Sequence, residues 1–177
     1  MSVIKLIMSD IDGTILDKDH QLDSHLLELM PLLKQCDIPF VLASARSPLG
    51  IAPISKELGI TDFPIASYNG ALISTGDKIL SQHTINKKEL LLLHDFLTKE
   101  FPTVSINVYS GKDWYVNTLD KWVEIEAQIT GESPKVTSLA DFLQEEKNLI
   151  HKLLLIDNAA TIQKLKETLA TMDFPQT

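Results

Sequence analysis

Val3-Ile4-Lys5-Leu6-Ile7-Met8-Ser9-Asp10-Ile11-Asp12-Gly13-Thr14 is the stretch that decides the fold. Residues 3–9 form a nearly continuous apolar run with several β-branched side chains, the pattern of a buried parallel strand. Two carboxylates follow at i and i+2, a spacing that on a strand end directs both side chains the same way. Gly13 permits a sharp turn past a ligand where a Cβ would obstruct it. Thr14 adds a hydroxyl. The layout suits a nucleophilic aspartate, a neighbouring acid/base aspartate and a bound divalent cation.

Outward from this stretch, elements alternate. Residues 22–36 read as a helix with Leu22, Leu26, Leu29, Met30 and Leu33 on one face. Pro31 within it predicts a kink or a late start. Residues 38–43 are a second strand, 48–58 a short helix closed by Gly59, and 63–67 a third strand. Strand, helix, strand, helix, strand predicts right-handed crossovers and a parallel sheet. After Gly70 the pattern changes. Residues 71–81 read as a hairpin, 87–101 as an apolar helix and 104–116 as a second hairpin turning at Gly111-Lys112-Asp113. Helices at 119–130 and 138–146, a strand at 153–156 and a helix at 159–172 complete the pass. The expected fold class is α/β: a partial Rossmann-like core over 1–82, then an α+β unit over 83–177.

Composition bounds the function. Hydrophobic residues are 44% of the 177 and the net charge is −8. A chain this apolar can pack a core, and one this acidic has no general attraction for nucleic acid or anionic membrane. A bound metal would still let it accept an anionic substrate. The single cysteine, Cys36, cannot form an internal disulfide and points to a reducing compartment. No stretch reaches the ~18 apolar residues of a membrane span. The expectation is a cytoplasmic protein with neither nucleic acid nor membrane as partner.

Asp10-Ile11-Asp12-Gly13-Thr14 after a strand resembles the first motif of the haloacid dehalogenase superfamily. Leu42-Ala43-Ser44-Ala45-Arg46 is similar to the second, a strand ending in Ser or Thr. Ser67-Tyr68-Asn69-Gly70-Ala71 resembles the Asn-Gly step into the α+β cap of the Cof-type phosphatase branch. The resemblance implies a hydrolase, a magnesium-dependent phosphomonoesterase of a small phosphorylated metabolite. Asp10 would attack phosphorus and become an aspartyl-phosphate. Asp12 would protonate the leaving oxygen and then activate water. The Asp10 carboxylate and Asp12 backbone carbonyl would hold Mg2+. Ser44 and the amides of Gly13 and Thr14 would hold phosphoryl oxygens, with Arg46 and Asn69 contacting phosphate or substrate.

The family also implies a later Lys and further Asp residues. Lys152, Lys164 and Lys166 do not match that Lys by context, and Asp157 is followed by Asn158 rather than a second carboxylate. The chain is therefore expected to end inside the cap, with weak or no activity by itself. The alternative is a catalytically impaired fragment acting as a binding or interaction module.

Blander readings stand beside these. Thr14 suits a turn cap, Ser44 an ordinary strand end and Asn69-Gly70 a plain turn. Arg46 reads first as a surface cation. The five histidines lack metal-like spacing and are expected on surfaces or helix faces. Asp17, Asp19 and Asp23 read as a solvated acidic loop, and Trp114 and Trp122 as core. An unprotected first strand predicts self-association, most simply as a homodimer.

Overall fold

The structure, a computed structural model, describes residues 4–172, and the chain divides into one unit ending at His83 and another beginning at Thr84. Val3, in the expected first strand, lies outside the described residues.

The first unit is a five-stranded sheet in the order β1 (Ile7–Ser9), β2 (Phe40–Ala43), β3 (Ile65–Ser67), β4 (Leu72–Thr75) and β5 (Lys78–Gln82). The first three strands are parallel, in the register Ser9↔Leu42 and Ala43↔Ala66. Helix α1 (Ser24–Gln35) links β1 to β2, and α2 (Pro48–Glu57) links β2 to β3. Both helices start on side-chain caps: Asp23 accepts from His25 and Leu26, and Ser47 accepts from Gly50. Ile11, Leu42 and Ile51, all fully buried, centre the core that these helices close.

Two expectations change, for the burial of the first strand and for the face of α1. The first strand is three residues long and, among the described residues, pairs with β2 alone; Ile4, Leu6 and Met8 are exposed rather than buried. The hairpin after Gly70 belongs to the first sheet: β4 runs antiparallel to β3, because the chain reverses at Tyr68–Gly70. The three core strands are parallel as expected, and the expected hairpin extends their sheet within the first unit. On α1 the buried stripe centres on Met30 and includes Leu27, which leaves Leu29 51% exposed at its margin. The helix runs through Pro31 without ending there.

The second unit is a four-stranded sheet in the order β8 (Lys135–Val136), β7 (Asp113–Val116), β6 (Ser105–Ser110) and β9 (Lys152–Ile156). Helices α3 (Lys87–Glu100), α5 (Leu139–Gln144) and α6 (Ala159–Thr171) bury Val108, Ile106 and Leu155 of this sheet. Helix α4 (Lys121–Thr130) begins on its Asp120 cap and ends at Gly131, whose φ of 72° is the left-handed conformation common at helix ends. The strand β8 has no apolar period to announce it. Trp114 is 2% exposed and donates its indole N–H to Asn107 Oδ1 at 3.0 Å.

His151 corrects the expectation of surface histidines: it is buried, and its Nδ1 accepts the Gly111 N–H at 3.1 Å. His94, half-buried on α3, also has a buried Nε2 without a partner among the described residues. Burial lowers the pKa of both imidazoles.

Leu42→Ala is expected to destabilise the protein by about 2–5 kcal/mol, because a fully buried leucine leaves a cavity on the sheet's packed face. Urea unfolding followed by circular dichroism measures it; a change under about 1 kcal/mol would contradict the central place given to this residue.

Candidate active site

Parallel pairing brings the carboxyl ends of β1, β2 and β3 to one end of the sheet. Asp10 follows β1, Ser44 follows β2, and Tyr68-Asn69 follows β3. Open α/β sheets bind ligands at this end.

The loop after β1 is wound around one carbonyl. Ile11 is fully buried, and its oxygen accepts the N–H groups of Thr14, Ile15 and Leu16 at 3.3, 3.1 and 3.1 Å. Asp12 therefore lies in a turn, not on the strand, and strand alternation does not govern its direction. Gly13 has a φ of 74°, yet a Cβ there would meet nothing within 4 Å. The glycine is needed for backbone conformation, not for clearance. The Thr14 N–H donates to the Ile11 carbonyl at 3.3 Å, the longest of the three bonds.

Arg46 is not a free surface cation. It donates from Nε to Asp12 Oδ2 at 2.9 Å and from Nη2 to Asp12 Oδ1 at 2.6 Å, a bidentate pair. The guanidinium hydrogen bonds hold the Asp12 carboxyl below its usual value; partial burial opposes this, and the charges of Arg46 and His20 assist. A depressed carboxylate stabilises the fold above its unfolded value, and that stability is lost as pH falls through the folded value.

Ser44 is 3% exposed. Its Oγ accepts the Arg46 N–H at 3.2 Å, and its carbonyl accepts the Asn69 N–H at 2.9 Å. The Tyr68 N–H reaches the Arg46 carbonyl at 3.1 Å. The turn after β3 thus clamps the turn after β2. It does so through three successive left-handed residues, Tyr68, Asn69 and Gly70, with φ of 54°, 56° and 92°. A bulky residue such as Tyr68 rarely holds this conformation. Among the proposed site residues, Asp12, Arg46, Ser44 and Asn69 are joined by hydrogen bonds. Asp10 is exposed at the same end of the sheet, and its carbonyl accepts the Ser9 hydroxyl at 2.8 Å.

Sequence reasoning missed Ser67, whose fully buried Oγ has no partner among the described residues. A serine at a strand end carries no signal of that state. Arg46 and Asp12 stand 34 positions apart, so their pairing had no local signal either.

In the second unit, Lys152, on β9, is partly buried with Nζ 4.9 Å from the Tyr109 ring centre, and burial lowers its pKa. Lys164 and Lys166 are on α6. Asp157 accepts from the Thr103 hydroxyl and from Asn158, a local bracing of the α6 start. Asp17 and Asp23 are exposed and accept backbone N–H groups, so the acidic loop is also a set of turns and a helix cap.

Magnesium takes oxygen ligands and retains several waters. The Asp10 carboxylate and Asp12 carbonyl fit that chemistry as a sparse, largely hydrated set. The Asp12 carboxylate is engaged by Arg46, and among the described residues no three His, Cys, Asp or Glu side chains cluster as a metal site. No helix among the described residues is long and apolar enough to cross a membrane.

The chain is similar to known proteins along its length. A protein of Haemophilus influenzae named "Putative phosphatase" is 31% identical over 173 residues, covering 97% of this chain and 63% of the relative. A solved haloacid dehalogenase-like hydrolase from Bacteroides thetaiotaomicron superposes with a TM-score of 0.81 at 25% identity, over 96% of this chain and 64% of that one. A solved sugar phosphatase of haloacid dehalogenase subclass IIB has a TM-score of 0.75 at 16% identity, over 94% of this chain and 64% of that one. This chain thus spans under two thirds of the length of each. The family model for haloacid dehalogenase-like hydrolases matches residues 7–175, and the chain belongs to that family.

Proposed function

We propose that this chain carries the nucleophile, the acid/base group and part of the phosphate site of a magnesium-dependent phosphomonoesterase for a small phosphorylated metabolite. The observation that carries the reading is the pairing of Arg46 with Asp12 at the strand end that also bears Asp10. The phosphatase relatives support the reaction class, and the subclass IIB neighbour suggests a sugar phosphate.

In this reading an Asp10 oxygen attacks phosphorus as the ester oxygen leaves with its bonding electrons. Asp12 gives that oxygen a proton, then takes one from the water that hydrolyses the aspartyl-phosphate. Arg46 would have to loosen its hold on Asp12 for this exchange, and a phosphoryl group offers the guanidinium a rival bidentate partner. The Ser44 hydroxyl, whose oxygen accepts from Arg46, would donate to a phosphoryl oxygen. Magnesium, held by Asp10 and the Asp12 carbonyl, would neutralise charge on the phosphate.

Inorganic phosphate release from a panel of sugar phosphates, with and without magnesium, tests the reaction. Magnesium with inorganic phosphate is expected to raise the melting temperature, since a ligand of the folded state stabilises it. Asp10→Asn should abolish both signals; an absence of magnesium dependence in wild type, for release and melting alike, would reject the reading.

Arg46→Met is expected to weaken stabilisation by phosphate. It should also lower stability at neutral pH by at most about 1 kcal/mol, because the pair is half-exposed and screened. The wild-type and variant stability curves should converge as pH falls through the depressed Asp12 value. Parallel curves from pH 7 down to about 2 would remove the ion pair from the account.

A further inference from the structure

The second unit has a pocket of its own. Its sheet ends where β6 begins and β7 stops, and there a cavity of about 320 Å³ opens beside the last turn of α3. That volume is at the lower end of small-ligand pockets, which run from roughly 300 to 1,000 Å³. The residues that line it all fall between Leu97 and Asp120, so its walls come from one continuous stretch in the middle of the chain. The chain enters the unit at the opposite end of the sheet, where Ile85 donates to the Ile150 carbonyl just before β9.

The walls divide by chemistry. Leu97, Phe101, Val104, Ile106 and Val116 supply an apolar floor. The polar groups have hydrogen-bonding capacity left over. The Thr98 carbonyl is on the last turn of α3, and its helical partner would be the N–H of residue 102, which is a proline. Asn117 Oδ1 accepts the Leu139 N–H at 2.8 Å, so the amide is held with its two Nδ2 donors unused. Asp120 Oδ1 accepts the Trp122 and Val123 N–H groups at 2.8 and 3.0 Å, and Oδ2 is left over. Among the described residues, Asn117 Nδ2, the Thr118 hydroxyl and Asp120 Oδ2 meet no partner.

Charge narrows the ligand. Among the described residues no lysine, arginine or histidine lines the pocket. Lys121, beside Asp120, holds its ammonium 4.6 Å from the Trp122 ring centre. A carboxylate and a helix carboxyl end without a lining cation repel anions. An ammonium only donates, and would leave the Asn117 N–H groups unanswered. A hydroxyl donates and accepts, and a ring of hydroxyls presents C–H faces to an apolar floor.

We propose that this pocket binds an uncharged sugar or cyclic polyol, whose hydroxyls accept from Asn117 and donate to Asp120 Oδ2 and the Thr98 carbonyl. The inference is independent of the phosphatase reading. Its ligand chemistry is the reverse of that at Arg46, because a phosphate group is rejected here. A pocket this open with few polar contacts binds weakly, with dissociation on the order of 1 mM.

Titration of the whole isotope-labelled chain with glucose, mannose, myo-inositol and glycerol, followed by its amide NMR signals, is the test. At least one ring should shift the Asn117 side-chain amide and the Thr118 backbone signal, saturating at about 1–10 mM. The phosphate ester of that ring should bind the same residues about tenfold more weakly. Asn117→Asp keeps the acceptor for Leu139 and replaces the donor by an oxygen, so it should weaken binding about tenfold. If that variant unfolds, Thr118→Val, which breaks no bond seen in the fold, takes its place with a loss of the same sign. Asp10→Asn, in the first unit, should leave the titration unchanged.

Signals of 97–120 that stay still up to about 50 mM of every ring would overturn the proposal. So would an affinity unmoved in folded Asn117→Asp or Thr118→Val, tighter binding of the phosphate ester, or binding that vanishes in Asp10→Asn.

Discussion

The register between β1 and β2, with Ser9 beside Leu42, is the constraint on which the first unit depends. Leu42 is fully buried under α1 and α2, and the side-chain period of a strand is two. A slip of one residue would turn Leu42 and Phe40 outward and carry Ile7 to the wrong face. The same register fixes where the two chains leave the sheet. Asp10 emerges one residue after Ser9, and Ser44 two residues after Leu42. Core packing and the placing of polar groups are thus one decision, made by apolar side chains that take no part in the chemistry.

A second constraint acts at the end of β3. The chain there turns through three left-handed residues and returns as β4, antiparallel. Strain of this kind costs about 1–3 kcal/mol per non-glycine residue and persists only where its surroundings enforce it. Two backbone bonds do so, from Tyr68 to the Arg46 carbonyl and from Asn69 to the Ser44 carbonyl. They also hold the 44–46 turn still. The Arg46 side chain projects from that fixed turn to Asp12, whose own loop is gathered around the Ile11 carbonyl. Backbone bonds place both partners, leaving the ion pair between them as the adjustable contact.

Much of this architecture was legible because its signals are local. Alternating apolar residues identify β6 and β7, Asp120 and Ser138 begin helices, and Gly59, Gly76, Gly111 and Gly131 sit where the backbone φ is positive. The Asp10 to Thr14 stretch was readable for the same reason. What escaped depended on partners distant in sequence. The antiparallel return of β4 beside β3 rests on the turn at Tyr68–Gly70, which no apolar period announces. The Arg46–Asp12 pair spans 34 positions, and the burial of His151 rests on Gly111, 40 positions away. Leu29 was misjudged for a subtler reason: periodicity defines a stripe, and packing decides how that stripe is rotated toward the sheet.

The two units use buried polar groups differently. In the second, Asn107 accepts from Trp114 and donates to the Ser105 and Leu154 carbonyls, so a fully buried amide is saturated by its own sheet. Asp157 braces the start of α6 in the same manner. Saturated groups of this sort stiffen a fold and have little left to offer a ligand. At the carboxyl end of the first sheet the accounting is looser. Ser67 Oγ lacks a partner among the described residues, and Asp12 is half exposed, joined to Arg46 by a contact that water or an anion can enter. An anion drawn to Arg46 competes with a carboxylate already in bidentate geometry. A planar or tetrahedral oxyanion able to match both N–H groups therefore has the advantage over a halide. Under the proposed function the ion pair would act as a selector, setting a geometric condition on any anion that replaced Asp12 at Arg46.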